Sequence, residues 1–101
     1  MIYYVSHQYL YNKENIEKAK EIVSDLQRND LENVYVCPLL LFGHLNGEIA
    51  FNDEIELRKD IITVCDKLVV AGDIDQTIDA EIEFAHLIGM EVEYLEPQNS
   101  R

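Results

Sequence analysis

Four strands alternating with three helices predict an α/β fold, a Rossmann-like or flavodoxin-like three-layer sandwich of about four parallel strands with helices on both faces. Three observations predict it. Short β-branched and aromatic runs alternate with longer stretches whose apolar residues recur at helical spacing. The run 67–72 (KLVVAG) lacks polar alternation, as expected of a strand covered on both faces. The chain of 101 residues fits one domain, with 96–101 as a tail. A chain of this size buries about 65% of its unfolded surface, enough for one core without disulfide or metal staples.

Ile2-Tyr3-Tyr4-Val5 reads as the first strand. Asn12 follows a turn-like stretch and can cap a helix over 13–29, in which Ile16, Ala19, Ile22, Val23 and Leu26 form the apolar stripe. A second strand, 34–37, is stopped by Pro38, which cannot donate to a sheet ladder. Residues 39–47 read as an apolar loop with two glycines: core, lid or subunit interface. Asp53 with Glu56 three residues later resembles a capping box that opens a helix to about Val64. The third strand covers 67–72. A third helix covers 78–88 and is closed by Gly89, and 91–95 is a last strand. In such sheets ligands bind beyond the carboxyl ends of the strands, where strand order reverses. Segments 6–12, 38–52 and 72–77 should therefore converge on any site.

Composition narrows the function. Eight Lys and Arg against 20 Asp and Glu give a formal net charge of -12. That charge repels phosphate backbones and anionic membranes, so neither nucleic acid nor a membrane is expected as a partner. A 48% hydrophobic content with six tyrosines excludes disorder. No apolar run nears the ~18 residues of a membrane span, and residues 1–10 lack the charged start and apolar stretch of a signal peptide. Cys37 and Cys65 stand far apart without metal-ligand spacing and read as buried free thiols of a reducing compartment. A cytoplasmic protein with no cofactor and no metal is expected.

One carboxylate stands out. At about 100° per residue, Ile78, Ile82, Phe84, Ala85, Ile88 and Gly89 fall in one sector of the third helix, and Asp79, Glu83 and His86 lie opposite. Glu81 lies within the apolar sector, between Ile88 and Ala85. A carboxylate there must be paired, protonated or facing a cleft, unless the early turn leaves it solvated at the rim. Burial would raise its pKa and the helix N-terminus would lower it. Asp75, six residues earlier, is open to the ordinary turn and capping chemistry of aspartate.

The stretch from Cys65-Asp66 through the apolar strand, Asp75, Glu81, Ala85 and Gly89 resembles the nucleoside 2-deoxyribosyltransferase superfamily. Its members carry Cys-Asp or Asn-Asp before such a strand, and a helix glutamate six residues after an Asp or Ser. The opening Ile2 to Tyr9, Asn15 to Ala19, and Cys37 to Phe42 look most like the small uncharacterised branch of that superfamily. The resemblance implies that Glu81 is a nucleophile attacking an anomeric carbon and that Asp75 orients the base; such chemistry needs a protonated group near the leaving nitrogen, for which Asp75 is the candidate. It implies that Tyr3 holds the nucleophile, and that a neighbouring subunit completes each site, hence a homo-oligomer, dimer or higher. Thr77 replaces a glycine of the family pattern, and Arg58 stands where the transferases proper carry an aspartate.

Further candidates to bind substrate are Ser6, for a sugar hydroxyl or phosphate, Gly72 and Thr77 in the third loop, and His7 and His44. Each histidine could act as an acid or phosphate contact, or be an ordinary exposed loop residue. No P-loop, dinucleotide fingerprint or nucleophile elbow is present. The expected function is transfer or hydrolysis at the N-glycosidic bond of a nucleoside or nucleotide. The alternative is a non-catalytic nucleoside- or nucleotide-binding module with a degenerate site, which Thr77 and Arg58 favour. An acidic polyanion mimic is the third reading, though the acidic residues are spread along every element instead of forming blocks.

Overall fold

The computed structural model describes residues 1–7, 13–42 and 50–95, without the side chain of Phe51. Strands β1 (Ile2–Ser6), β2 (Val34–Val36), β3 (Lys67–Val70) and β4 (Glu91–Tyr94) form one sheet in the order β2-β1-β3-β4. Every pairing is parallel: Tyr3 sits opposite Tyr35 on one side and Lys67 on the other, and Val69 opposite Glu93. Parallel neighbours need crossovers, supplied by helices α1 (Lys13–Arg28), α2 (Pro38–Phe42) with α3 (Phe51–Thr63), and α4 (Gln76–Leu87).

Side chains alternate across a strand, so the sheet feeds two cores. Tyr4, Leu68 and Val70 pack with Ile62 and Cys65 from the α3 side and with Ile78, Ile82 and Ala85 of α4. Val5 and Ala71 pack on the opposite face with Ala19 and Ile22 of α1, and with Cys37 and Leu39 at α2. The result is a three-layer α/β sandwich with flavodoxin-like strand order, as the alternating pattern predicts. Among the described residues, no helix is long and apolar enough to cross a membrane.

Several boundaries depart from the sequence reading, among them the end of β3, at Val70 and not Gly72. Pro38–Phe42 is a short helix, not part of a loop: Pro38 needs no N–H at the first helical position, and Leu40 and Leu41 donate to the Cys37 carbonyl at 3.0 and 3.1 Å. This ends β2 at Val36. Asp53 does not cap α3; the helix starts two residues earlier, at Phe51, after Ala50, which makes no side-chain cap bond, and Asp53 lies in its first turn. α4 likewise starts two residues earlier than expected, at Gln76, because Asp75 caps it. Its other end matches: Gly89 has φ 77°, Gly89 N–H donates to His86 and Met90 N–H to Ala85, the two bonds of a Schellman closure. The Asn12 cap, the loop glycines and the tail fall outside the described residues.

Asp66 has a clear structural task. Its carboxylate accepts from Ile2 N–H at 2.8 Å and its own N–H donates to the Ile2 carbonyl at 2.7 Å. The aspartate before the third strand therefore clamps the start of the first. Both thiols are buried, and burial pushes each up to about 11.

Candidate functional site

The chain leaves β1 for β2 on one side of the sheet, then returns to β3 on the other, so the reversal falls between β1 and β3. Ser6 and His7 end the first of these strands; Ala71 and Gly72 follow the second. Ala71 N–H donates to the Ser6 carbonyl at 2.9 Å, which holds the two strand ends together. Gly72 has φ 85°, a backbone conformation that side chains disfavour. A Cβ there would stand 3.7 Å from His7 Nε2, an ordinary contact, so backbone conformation and not space calls for glycine.

Glu81 projects from the second turn of α4 toward that reversal and is only 7% exposed. Both of its oxygens accept hydrogen bonds. Ser6 Oγ donates to Oε1 at 2.6 Å, and the Tyr4 hydroxyl donates to Oε2. On the third side stands Arg58 of α3, 2% exposed, with Nε 4.0 Å from Glu81 Oε2 and Nη1 3.8 Å from Glu54 Oε2. Glu81 and Arg58 line a cleft of about 190 Å³ between α3 and α4. Ile55, Ile62, Ala80 and Phe84 supply its apolar wall; Gln76, Thr77 and Lys59 complete it.

Burial pushes the Glu81 carboxyl above its ordinary value, opposed by the hydroxyls of Ser6 and Tyr4 and by the Arg58 charge; Asp75 adds to the rise. Desolvation and the adjoining carboxylate hold the Tyr4 phenol well above its usual range, so it stays a donor. Arg58 is drawn down, first by desolvation, against the pull of Glu81, Tyr4 and Asp75.

The tyrosine at the carboxylate is Tyr4, not Tyr3. Alternation sends Tyr3 to the other face, where its ring meets Tyr35 edge-on at 5.4 Å and Lys67 Nζ lies 4.4 Å from its centroid. Ser6 is spent on Glu81 and does not line the cleft. Asp75 is the cap of α4: Oδ1 accepts from Ile78 N–H at 2.8 Å. His7 is buried against Gly72 and is not the exposed loop residue that was the alternative to a role at the site. Of the expected substrate-binding residues, Thr77 lines the cleft; His44 lies outside the described residues. Arg58 and Glu54 are the additions. Their signal was available, since both share the inner side of α3 with Ile62, as Glu81 shares that of α4 with Ala85. No three His, Cys, Asp or Glu side chains among the described residues are placed to hold a metal ion.

What the fold and this carboxylate define is a flavodoxin-like domain with a buried, hydroxyl-held glutamate at its strand-order reversal. Comparison of the chain with protein-family models, with curated proteins and with solved structures found no match.

Proposed function

We propose that this protein transfers or hydrolyses the N-glycosidic bond of a nucleoside or nucleotide, with Glu81 as nucleophile. The observation that carries the reading is a carboxylate fixed through both oxygens by Ser6 and Tyr4 while it lines a cleft with an apolar wall. An oriented, partly desolvated carboxylate is what attack on an anomeric carbon requires. One Glu81 oxygen bonds to that carbon as the carbon–nitrogen bond breaks, and the electron pair leaves with the base, which takes up a proton. Asp75 Oδ1 is engaged by Ile78 N–H, so Oδ2 is the atom that would carry this proton. Water then opens the glycosyl ester to free sugar, or a second base takes the sugar; either restores the Glu81 carboxylate. Negative charge at Glu81 favours the oxocarbenium character of the transition state.

A non-catalytic binding module is the second reading. The capping bond of Asp75 and the side chain of Thr77 in the cleft favour it. On either reading the protein is a cytoplasmic homo-oligomer. Incubation with a panel of deoxynucleosides and deoxynucleoside monophosphates, with and without a second free base, separates the two. Free base or exchanged nucleoside that disappears in Glu81→Gln is the expected result. No turnover, together with a ligand-dependent rise in melting temperature, would replace the enzyme by the binding module.

A further inference from the structure

Arg58 lies between two carboxylates of one cluster and reaches neither at full hydrogen-bond distance: Glu54 at 3.8 Å, Glu81 at 4.0 Å. All three side chains are nearly excluded from solvent, at 2, 6 and 7% exposure for Arg58, Glu54 and Glu81. Buried charge is costly unless balanced, and the balance here changes in any reaction at Glu81. Protonation or esterification of Glu81 removes one of the two negative charges and leaves the guanidinium where it was. Glu54, one helical turn before Arg58 on the same helix, keeps its place throughout.

We propose that Arg58 and Glu54 form a positioning pair for Glu81, in which the guanidinium serves Glu81 while that carboxylate is ionised and falls back on Glu54 when Glu81 is neutralised. The pair works through Glu81. It acts by making both charge states of Glu81 tolerable inside the protein. The catalytic use of the device rests on the glycosidic reading; the sharing of charge does not.

The charged or titratable neighbours of Glu81 among the described residues bear on the test. Tyr4 meets it from β1; Arg58, Glu54 and the cleft residue Lys59 belong to α3; Asp75 heads its own helix; and Cys37, beyond β2, is raised in part by its charge. Two of these neighbours should act in opposite directions. With glutamate side-chain carboxyl carbons labelled with carbon-13, the Glu81 resonance is assigned by its loss in Glu81→Gln and followed against pH, without any substrate.

Arg58→Met should move the Glu81 midpoint upward by about one pH unit or more, and Arg58→Lys should restore part of the shift. Glu54→Gln should move it downward, because the guanidinium then loses a competing carboxylate and Glu81 loses a neighbouring negative charge. Opposite shifts would separate charge sharing from a merely structural role, which predicts no such pairing of signs. If Arg58→Met does not fold, Arg58→Lys and Glu54→Gln still carry the test. A midpoint that Glu54→Gln leaves unmoved, or moves upward, overturns the proposal. Failure of the nucleoside assay with opposite shifts intact would overturn the enzyme reading alone.

Discussion

A carboxyl group as enclosed as that of Glu81 ionises at the expense of lost hydration, a loss that its two hydroxyl donors and Arg58 offset. Its folded-state pKa is raised above the ordinary 4.5. The folded chain therefore holds this proton more tightly than the unfolded chain does. The resulting stability is present at low pH and is lost as pH rises from 4.5 through the folded value. Urea unfolding of the wild type and Glu81→Gln across this range should show the wild type losing stability relative to the variant as pH rises. A constant difference would mean that Glu81 titrates alike in both states.

The tyrosine pair gives a second test at the same scale. Tyr4→Phe removes a buried donor to a carboxylate and should cost about 2 kcal/mol. Tyr3→Phe, which removes a hydroxyl that donates to Met1 Sδ at 3.8 Å, should stay within about 0.5 kcal/mol. Equal losses would contradict the alternation that separates them. Tyr3 was the position that the family resemblance implied, and two consecutive tyrosines on one strand carry no mark of which face receives α4. A one-residue difference in register exchanges the two faces.

At the scale of the element, α4 is the piece in which local signals and the site coincide. Asp75 closes its start, the Gly89 turn closes its end, and Glu81 sits between them on the buried side. Asp75 therefore combines a capping task with a proposed chemical one, and two substitutions separate them. Asp75→Asn keeps a side-chain oxygen for the Ile78 N–H and should hold stability within about 0.5 kcal/mol. Asp75→Ala should lose about 1 kcal/mol in urea unfolding. If Asp75 protonates the leaving base, both variants lose turnover; if it only caps, Asp75→Asn keeps it.

Helix α4 was legible because its apolar residues obey a period and its ends carry Asp and Gly. Helix α2 was not. Its five residues, Pro38-Leu39-Leu40-Leu41-Phe42, are apolar on every side and too few to display a period, so they read as loop. The start of α3 was misplaced for a related reason. Asp53 carries the chemistry of a cap, whereas the residue that precedes the helix is Ala50, which has no side-chain acceptor.

For the whole molecule, the alternation of periods was enough to specify parallel strands and three layers. The cleft is lined by α3 and α4, and among the described residues of the three segments expected to converge only 72–77 reaches it, through Gln76 and Thr77. The strand order that completes the cleft depends on which side of β1 each later strand joins, and no local pattern encodes that. The charge of -12 also belongs to this scale, since the acidic residues are dispersed and repel one another across the surface. Raising ionic strength from about 0.01 M to about 0.15 M shortens the screening length from ~30 to ~8 Å. The melting temperature should rise by about 4 °C, the equivalent of roughly 1 kcal/mol in a domain of this size. A fall would mean that favourable ion pairs outweigh the repulsion.

The strand order has a consequence in time. β1 is made first yet lies inside the sheet, flanked by β2 and by β3. A nascent chain that has released β2 still carries β1 with one edge bare, open to wrong partners until β3 emerges. The Tyr4–Glu81 bond then spans 77 residues and cannot form before α4 docks. The cleft is thus among the last features the chain builds, and a partly synthesised molecule cannot carry it.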